Sequence, residues 1–569
     1  MLRASRFGTI VLVSVLAGTL LVLTGCKTEP PGTLEEWIEH MQSVERDEAA
    51  LSSAGDSFRE LAREKMEAGE DLSHLTGKLI PLLEGRPRLR EQAAWLLGHI
   101  GDPQAVGPLA DAIDYGAGRG QRDLNAANIR IAEALGRIGT PAAVPPLARM
   151  TGAREAEEAL AAVQALGATD EHAAVSRLSE LATADDVSPF ISRRAIEALG
   201  AIGHPDGLPA LIKMLFKERQ GVSFYREASF SVFQLGADAG PPLIEILEGR
   251  DEDFMEWARK HNIRPEAVYA KAAQVLGDLA DNRAAPGAMR RLGFESEYVD
   301  MQLIPRMFAA DALGRLRHRP AVRRLTGMLD EAEANTRERY IRALAMIGDR
   351  SVLPALIRST RVSRNYDARE FSLRGVARMG GPGTLSRFDD ALERASRLSE
   401  CLSWFRGDEE AITKQCKQRI DNMKERSQRY RAMLVAAEEC SNSLDCWLEK
   451  LEDENPRVRE KAAWELGWSG EQKALDPLLD ALQEPDLDAR FAMVAAVDTL
   501  LFGARNDKIP PTNDGKRATE RLRSILDEER GRAQFVRINE DLRRLELKIQ
   551  RAFMHDAGEI EEAEELVIQ

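Results

Sequence analysis

Aromatic residues are scarce in this chain of 569 residues, at 5% of the sequence. A large core with so few rings must be built from aliphatic side chains, above all Ala and Leu. Closely packed helices suit such a core better than a β-sandwich, which depends on aromatic and β-branched residues. Charged residues make up 30% of the chain, which does not favour general disorder. The sequence therefore predicts an all-α protein that is long enough for three or four ordinary domains.

An excess of positive charge is also missing. The formal net charge is −15 and the isoelectric point is about 5.3. Nucleic-acid binding relies on Lys and Arg side chains that neutralise phosphates, so an acidic chain is a poor candidate for it. We therefore expect no nucleic-acid partner.

Motifs of catalysis and of metal binding are absent from the sequence as well. The eight His residues are scattered, and none forms a His-x₃-His or His-Glu pair. We find no Gly-x-Ser-x-Gly elbow, no phosphate-binding Walker loop and no dinucleotide-binding Gly-x-Gly-x-x-Gly. The sequence thus predicts a protein that is not an enzyme and has no cofactor and no metal.

The N-terminus carries a distinct targeting pattern. Arg3 and Arg6 precede the uncharged run Thr9–Leu23, which is too short for a confident membrane span, and Leu23–Cys26 ends it in Leu-Thr-Gly-Cys. This stretch resembles a bacterial lipoprotein signal peptide. The resemblance implies cleavage of residues 1–25, a lipid on Cys26, a linker over residues 26–32 and membrane attachment through that lipid. An ordinary secretory signal or a short membrane anchor is the alternative.

Lys27 follows the lipidation site. In well-studied Gram-negative sorting, a residue other than Asp at this position resembles the pattern of an outer-membrane lipoprotein. The expected location is therefore the cell envelope, at the outer membrane and facing the periplasm.

The remaining cysteines lie together, and an even number in an exported protein predicts disulfides. They are Cys401, Cys416, Cys440 and Cys446. Zinc is the rival, but the spacing lacks Cys-x₂-Cys pairs and no His lies among them. If Asp408–Glu439 is one helix, Cys416 and Cys440 are about 36 Å apart and cannot bond.

Two pairings of these cysteines remain open. Cys401–Cys416 with Cys440–Cys446 is favoured. The other, Cys401–Cys440 with Cys416–Cys446, demands contact across opposite ends of the helix.

Internal repeats dominate the rest of the chain. The segment Pro87–Gly98 returns as Pro456–Gly467 with nine of twelve positions identical. Between them a buried-type Leu, usually followed by Gly, recurs at intervals in the thirties, as at Leu97, Leu135, Leu166, Leu199, Leu235, Leu276, Leu313 and Leu344. Such a period predicts stacked pairs of helices.

Each repeat follows the same order. An Ala-rich first helix ends at a Gly such as Gly203, a capping residue and Pro form the turn, and a Leu-rich second helix follows. This pattern resembles the HEAT-repeat family, in the short form named for phycobilisome lyases. The resemblance implies an α-solenoid of the HEAT/armadillo type, and solenoids of this kind carry function on variable surface positions.

The predicted organisation follows from these patterns. Its parts are a helical N-terminal cap over 33–85, HEAT-like repeats over 86–393, a cysteine-containing helical insertion over 394–448, further HEAT-like repeats over 449–505, and a C-terminal helix with an acidic tail over 506–569. The arginine-rich run Arg315–Arg324 is expected to be a solvated turn, with contact to an acidic protein or a lipid headgroup as the alternative.

The candidate partner-binding residues lie on or near the second helices, which we expect to form the concave face. Charges there differ from repeat to repeat, as at Lys213, Glu245 and Arg358, and an insertion supplies Phe254 and Trp257. The two aromatic residues are alternatively the core of a small inserted helix.

The predicted function is a non-enzymatic, lipid-anchored scaffold that binds an unidentified protein partner. Two alternatives stay open. One is an enzyme or enzyme subunit related to lyase-type HEAT-repeat proteins, and the other is a structural component of envelope assembly.

Overall fold

The computed structural model describes residues 31–116, 121–528, 541–550 and 552, so Cys26 and the signal-like segment lie outside the described residues. The chain divides into two compact units: Met1–Asp114 with Gln121–Ala134, and Tyr115–Gly120 with Leu135–Gln569. Within the described ranges both units are built from α-helices. The only β-strands in these described ranges form a two-stranded antiparallel hairpin in the second unit, β1 (Glu218–Arg219) and β2 (Val222–Ser223).

The first unit holds the N-terminal helices and the first repeat. Its helices are α1 (Leu34–Ser43), α2 (Glu48–Glu67), α3 (Thr76–Leu79), α4 (Pro87–Ile100) and α5 (Val106–Asp111), and α6 (Arg122–Ile138) begins in it.

The second unit holds the later repeats. Its helices are α7 (Val144–Met150), α8 (Ala156–Ala168), α9 (Ala173–Thr183), α10 (Pro189–Ile202), α11 (Leu208–Phe216), α12 (Tyr225–Leu235), α13 (Gly240–Glu248), α14 (Glu252–Lys260), α15 (Pro265–Leu279), α16 (Ala285–Arg291), α17 (Leu303–Arg315), α18 (Val322–Met328), α19 (Ala334–Ile347), α20 (Leu353–Ser359), α21 (Tyr366–Met379), α22 (Leu385–Ala395), α23 (Leu398–Ser403), α24 (Glu409–Cys440), α25 (Leu444–Glu449), α26 (Pro456–Ser469), α27 (Leu475–Asp480), α28 (Leu487–Phe502) and α29 (Thr512–Glu528). Residues 541–550, here called the terminal segment, are also helical.

The predicted stacking of helix pairs is confirmed. In the second unit the first helices pack on one another in chain order, so that α15 contacts α17, α17 contacts α19 and α19 contacts α21. The recurring leucines of the repeat are all buried, at Leu97, Leu135, Leu166, Leu199, Leu235, Leu276, Leu313 and Leu344. The fold is the all-α solenoid that the period predicts.

The glycine after the recurring Leu permits close packing between first helices. A Cβ atom placed on Gly277 would lie 2.8 Å from the Cα atom of Ala312 in the next first helix. Gly467 stands in the same relation to Ala496, also at 2.8 Å. Such separations are too short for two carbon atoms, so a small residue on each helix sets the spacing of the stack.

Several turns between the two helices of a repeat are capped by a side chain. Asp281 accepts a hydrogen bond at 3.0 Å from the backbone N–H of Arg283, and Asp349 does the same at 3.0 Å for Ser351. These two side chains satisfy donors that the helix ends leave open. Gly203 ends α10 in the left-handed conformation with φ near 65°, as the sequence predicts.

Helix α24 occupies a place in the stack. It runs as one helix through Glu409–Cys440 and contacts α21 on one side and α26 on the other. The cysteine-containing segment thus supplies a long first helix, and α25 follows it as a short second helix.

The described residues contain no helix that is both long enough and apolar enough to cross a membrane.

Candidate functional site

Distant repeats of the second unit meet on the side formed by the first helices. The Trp468 indole N–H of α26 donates to the backbone carbonyl of Ala345 in α19 at 3.2 Å. Arg342 of α19 lies over the ring of Phe491 in α28, with 3.8 Å to the ring centroid. This side is therefore the inner side of the unit, whereas the sequence led us to expect the second helices there. The physical reason is size: Gly and Ala let first helices approach closely, and Leu-rich second helices need more room.

The terminal segment lies on this inner side. Its Arg544 bridges Asp278 of α15 at 3.3 Å and Asp541 at 3.3 Å. Arg315 of α17 completes the group, with contacts of 3.4 Å to Asp278 and 3.3 Å to Asp541. Burial raises the pKa of the Asp278 carboxyl, and the two guanidinium groups oppose that effect.

A second ion cluster joins the terminal segment to α28. Lys548 contacts Asp498 at 2.6 Å, and Arg317 pairs with the same carboxylate and with the backbone carbonyl of Gly503. Burial by itself would raise the pKa of Asp498, but the Lys548 and Arg317 cations outweigh it and lower the pKa.

Only part of the arginine-rich run Arg315–Arg324 takes part in these contacts. The sequence predicts the whole run to be a solvated turn. That expectation is wrong for Arg317, which is 6% exposed, while Arg319 and Arg323 face solvent. The acidic groups that Arg315 and Arg317 contact belong to this same chain. They lie far away in sequence, so the run itself gave no sign of them.

A third ion cluster ties α21, α26 and α28 together. The fully buried Glu460 of α26 accepts from Arg378 at 2.6 Å and from Arg374 at 3.2 Å, and Arg457 also pairs with it. Burial would raise the pKa of Glu460, but the three guanidinium groups outweigh it and hold the pKa below the usual value. Asp488 belongs to the same cluster. Burial would raise its pKa as well, but the neighbouring arginines outweigh burial and lower the pKa of Asp488 to about 2.

The inner side from α15 to α28 is therefore occupied by side chains of this chain and by the terminal segment. Leu542, Leu545 and Ile549 of the terminal segment are buried, and their spacing of three and four residues places them on one face of a helix. Phe535 and Ile538, which continue that spacing, lie outside the described residues.

The second-helix side carries an open cleft between α9 and α11, here called the α9–α11 cleft. Its volume is about 590 Å³. Ser176 and Glu180 of α9 line one wall, Lys213 of α11 lines the other, and His172 and Asp206 lie at one end. The cleft thus combines small polar groups with charges of both signs.

The predicted residues Lys213, Phe254 and Trp257 come together beside this cleft. The Lys213 ammonium lies 6.0 Å from the Trp257 ring centroid, within cation–π range. Phe254 packs edge-on against Phe216 with 5.2 Å between ring centroids and is 7% exposed. The alternative of a small inserted helix holds for Phe254, which anchors α14, whereas Trp257 is only partly buried.

Glu245 and Arg358 lie elsewhere on the second-helix side. Glu245 of α13 contacts Arg250 at 2.7 Å, and the hydrogen bond from that arginine lowers the pKa of the Glu245 carboxyl. Arg358 of α20 contacts Asp330 at 3.0 Å. Each charge has a partner within the chain, and neither residue joins Lys213 and Trp257 in one group. Their role in partner binding stays a prediction.

The cysteines lie in two pairs at bonding distance. Cys401 and Cys416 have Cα atoms 5.9 Å apart, and Cys440 and Cys446 have Cα atoms 5.3 Å apart. This is the pairing that the sequence favours. The first pair fixes α23 to the start of α24, and the second closes the loop between α24 and α25.

Family comparisons agree with the helix pairs. A model described as HEAT repeats matches residues 153–224 and 418–498, and a model described as PBS lyase HEAT-like repeat matches residues 89–115 and 129–150. The chain contains HEAT repeats. The HEAT match that begins at residue 418 includes most of α24, in agreement with its place in the stack. The matched segments are accordingly HEAT-like repeats within the helical stack.

Solved structures resemble this HEAT-repeat scaffold only distantly. The match to an importin beta structure covers 87% of this chain and 69% of the importin chain, at 13% identity and a TM-score of 0.39. The match to human deoxyhypusine hydroxylase covers 48% of this chain and 96% of the hydroxylase chain, at 18% identity and a TM-score of 0.21. The match to a chain of the CpcE and CpcF complex of phycocyanin lyase from Nostoc covers 57% of this chain and 96% of the lyase chain, at 21% identity and a TM-score of 0.23. These values carry no argument about ligands or partners. No curated protein matches the chain at a significant level.

Proposed function

We propose that this HEAT-repeat protein is a non-enzymatic scaffold that binds a partner protein through its second-helix side. The binding surface comprises the α9–α11 cleft together with Lys213 and Trp257, here called the α11–α14 patch. The supporting observation is that Lys213 and Trp257 lie together beside an open cleft between two second helices. On the first-helix side, by contrast, the charged groups from α15 to α28 are paired with one another and with the terminal segment.

The chemistry of the α11–α14 patch suits protein recognition. Trp is among the residue types that contribute most to binding energy, and a partly buried ring offers a large surface with few rotatable bonds. Lys213 beside that ring adds a charge that selects for an acidic group on the partner. Because the helices that carry the patch are packed into the stack, little conformational entropy is lost on binding.

Variants of the patch test this proposal. Partners are first crosslinked to the wild-type protein in its native envelope and identified by mass spectrometry. We expect Trp257→Ala and Lys213→Glu each to lower capture of the same partner at least tenfold, with little change in melting temperature. Tenfold corresponds to about 1.4 kcal/mol of binding free energy.

Glu245→Arg and Arg358→Glu serve as matched charge reversals outside the patch. If they reduce capture equally, the surface extends along the second helices. Capture that survives both patch variants would refute the location of the binding surface.

We further propose that Cys26 carries a lipid that holds this scaffold at the outer membrane, facing the periplasm. The support is the sequence Leu23–Cys26 after an uncharged run, together with Lys27. Several acyl chains anchor a protein stably, where one chain alone is marginal.

Replacement of the lipidated residue tests the anchor. Cys26→Ser should move the protein from the membrane fraction to the soluble fraction, because no thiol is left to modify. Cys446→Ser, which alters the cysteine of α25 that pairs with Cys440, should leave the protein in the membrane fraction. If Cys26→Ser still partitions with membranes, the anchor is elsewhere.

A further inference from the structure

Two histidines and one aspartate from neighbouring repeats meet at the end of the α9–α11 cleft. The His172 Nε2 atom lies 2.7 Å from the Asp206 Oδ2 atom, and the His204 Nδ1 atom lies 3.8 Å from the same oxygen. The two imidazole rings stack with 3.8 Å between centroids. Each of the three residues offers one potential ligand atom, and these three atoms all lie within 4.8 Å of one another.

His204 holds a position in the repeat that Asp fills in several other turns. It precedes the short 3₁₀ helix Pro205–Gly207, and its Nδ1 atom accepts from the backbone N–H of Asp206 at 3.2 Å. Asp102 and Asp281 make the same bond in their own turns, at 2.9 Å and 3.0 Å. The cap itself therefore does not require an imidazole.

His172 has no capping task. It stands directly before α9 and makes no cap hydrogen bond to that helix. Its side chain is instead directed at Asp206, which belongs to the next repeat. Two imidazoles and a carboxylate thus meet at one junction, although an Asp at position 204 could make the same cap.

We propose that His172, His204 and Asp206 bind a transition-metal ion of the zinc class. Imidazole nitrogen suits Zn²⁺, Cu²⁺ and Ni²⁺, whereas Mg²⁺ and Ca²⁺ prefer oxygen ligands throughout. Zinc bonds to nitrogen and oxygen of about 2.0–2.2 Å place neighbouring ligand atoms roughly 3.3 Å apart in a tetrahedral site. The separations of 2.7 Å and 3.8 Å lie on either side of that value.

The exposed position of the rings allows the adjustment that the ion needs. The side chains of His172 and His204 are 61% and 37% exposed, so each ring has room to rotate toward a shared ion. Three protein ligands leave one tetrahedral position open. The ion would join the turns of two consecutive repeats and would leave that position for water or for a group in the α9–α11 cleft.

Calorimetric titration with ZnCl₂ tests the site on the full-length chain, after treatment with EDTA and without reductant. We expect binding of one Zn²⁺ that MgCl₂ in excess does not displace, and a higher melting temperature with zinc. His204→Asn keeps a capping side chain and removes a zinc ligand, so it should fold normally and bind Zn²⁺ at least ~10-fold more weakly. His172→Gln should weaken binding to a similar extent.

His318→Asn is the matched control, because His318 precedes the 3₁₀ helix Arg319–Ala321 at the equivalent turn of another repeat. Zinc affinity should be unchanged in this variant. The site is refuted if the wild-type chain binds no Zn²⁺, if both His172→Gln and His204→Asn bind as the wild type does, or if His318→Asn abolishes binding. These outcomes are independent of whether a partner protein uses the cleft.

Discussion

Single small residues set the spacing of the first helices. At Gly277 the neighbouring helix lies so close that a methyl group would collide with the backbone of Ala312. The same pair of small residues recurs at Gly136 with Ala165, where the separation is 2.8 Å. The Leu-Gly step in the sequence is therefore a packing requirement, and this explains why it identifies the repeat.

Gly277→Ala tests that requirement. We expect it to destabilise the second unit by about 1–3 kcal/mol, because an added methyl group overpacks the interface between α15 and α17. Thermal unfolding followed by circular dichroism measures the effect. Gly327→Ala is the control, since Gly327 is exposed in α18 with no atom within 4 Å of an added Cβ. That variant should gain about 0.5–1 kcal/mol from helix propensity. Equal melting temperatures for the two variants would contradict the packing argument.

The buried carboxylate of Glu460 is a second position where one residue decides stability. Glu460→Gln leaves three guanidinium groups without their shared anion, so we expect a loss of about 3–5 kcal/mol. Glu425→Gln changes an exposed carboxylate on α24 that contacts Arg429 at 3.4 Å, and it should leave the melting temperature unchanged.

The pH dependence of unfolding follows from the same cluster. The folded pKa values of Glu460 and Asp488 lie below their ordinary values of 4.5 and 3.8, and that of Asp488 is about 2. Both groups therefore stabilise the fold above pH 4.5, and this contribution is lost as the pH falls toward 2. Melting temperatures between pH 7 and pH 3 should decline less steeply in Glu460→Gln than in the wild type. A parallel decline would mean that Glu460 does not titrate as inferred.

At the scale of helices, the two members of each repeat do different work. The first helices carry Gly and Ala and come together on the inner side, where ion clusters join distant repeats. The second helices carry Leu toward the core and leave variable charges in solvent. An expectation based on which helix carries variable charges placed the second helices on the concave face, whereas contacts such as that of Trp468 with Ala345 join distant first helices on the inner side.

Helix α24 illustrates what periodicity can and cannot predict. The sequence indicates one long helix and the cysteine pairs at its ends, because both follow from local spacing. The sequence of α24 lacks the Leu-Gly step, so its place between α21 and α26 could not be predicted from the repeat. Tertiary contacts hold α24 there instead. The Tyr430 hydroxyl, for example, donates to the buried Glu370 of α21 at 2.9 Å.

At the scale of the whole molecule, the fold was more accessible to sequence reasoning than the site. The HEAT repeats follow from a pattern that is written many times along the chain. The contacts of the terminal segment with α15 and α17 join residues more than two hundred positions apart, and no local pattern records them. Lys213 and Trp257 were found as single residues, whereas their pairing beside the α9–α11 cleft appears only in three dimensions.

The central claim is that a partner protein binds at the α9–α11 cleft and the α11–α14 patch. Site-specific photocrosslinking tests it most directly, with a benzoylphenylalanine in place of Ser176 in the cleft and, as a control, in place of the exposed Glu425 on α24. We predict that the Ser176 position yields a discrete crosslinked protein in the native envelope, that Trp257→Ala abolishes this product, and that the Glu425 position does not yield it. Identical products from both positions, or a Ser176 product that persists in Trp257→Ala, would contradict the claim.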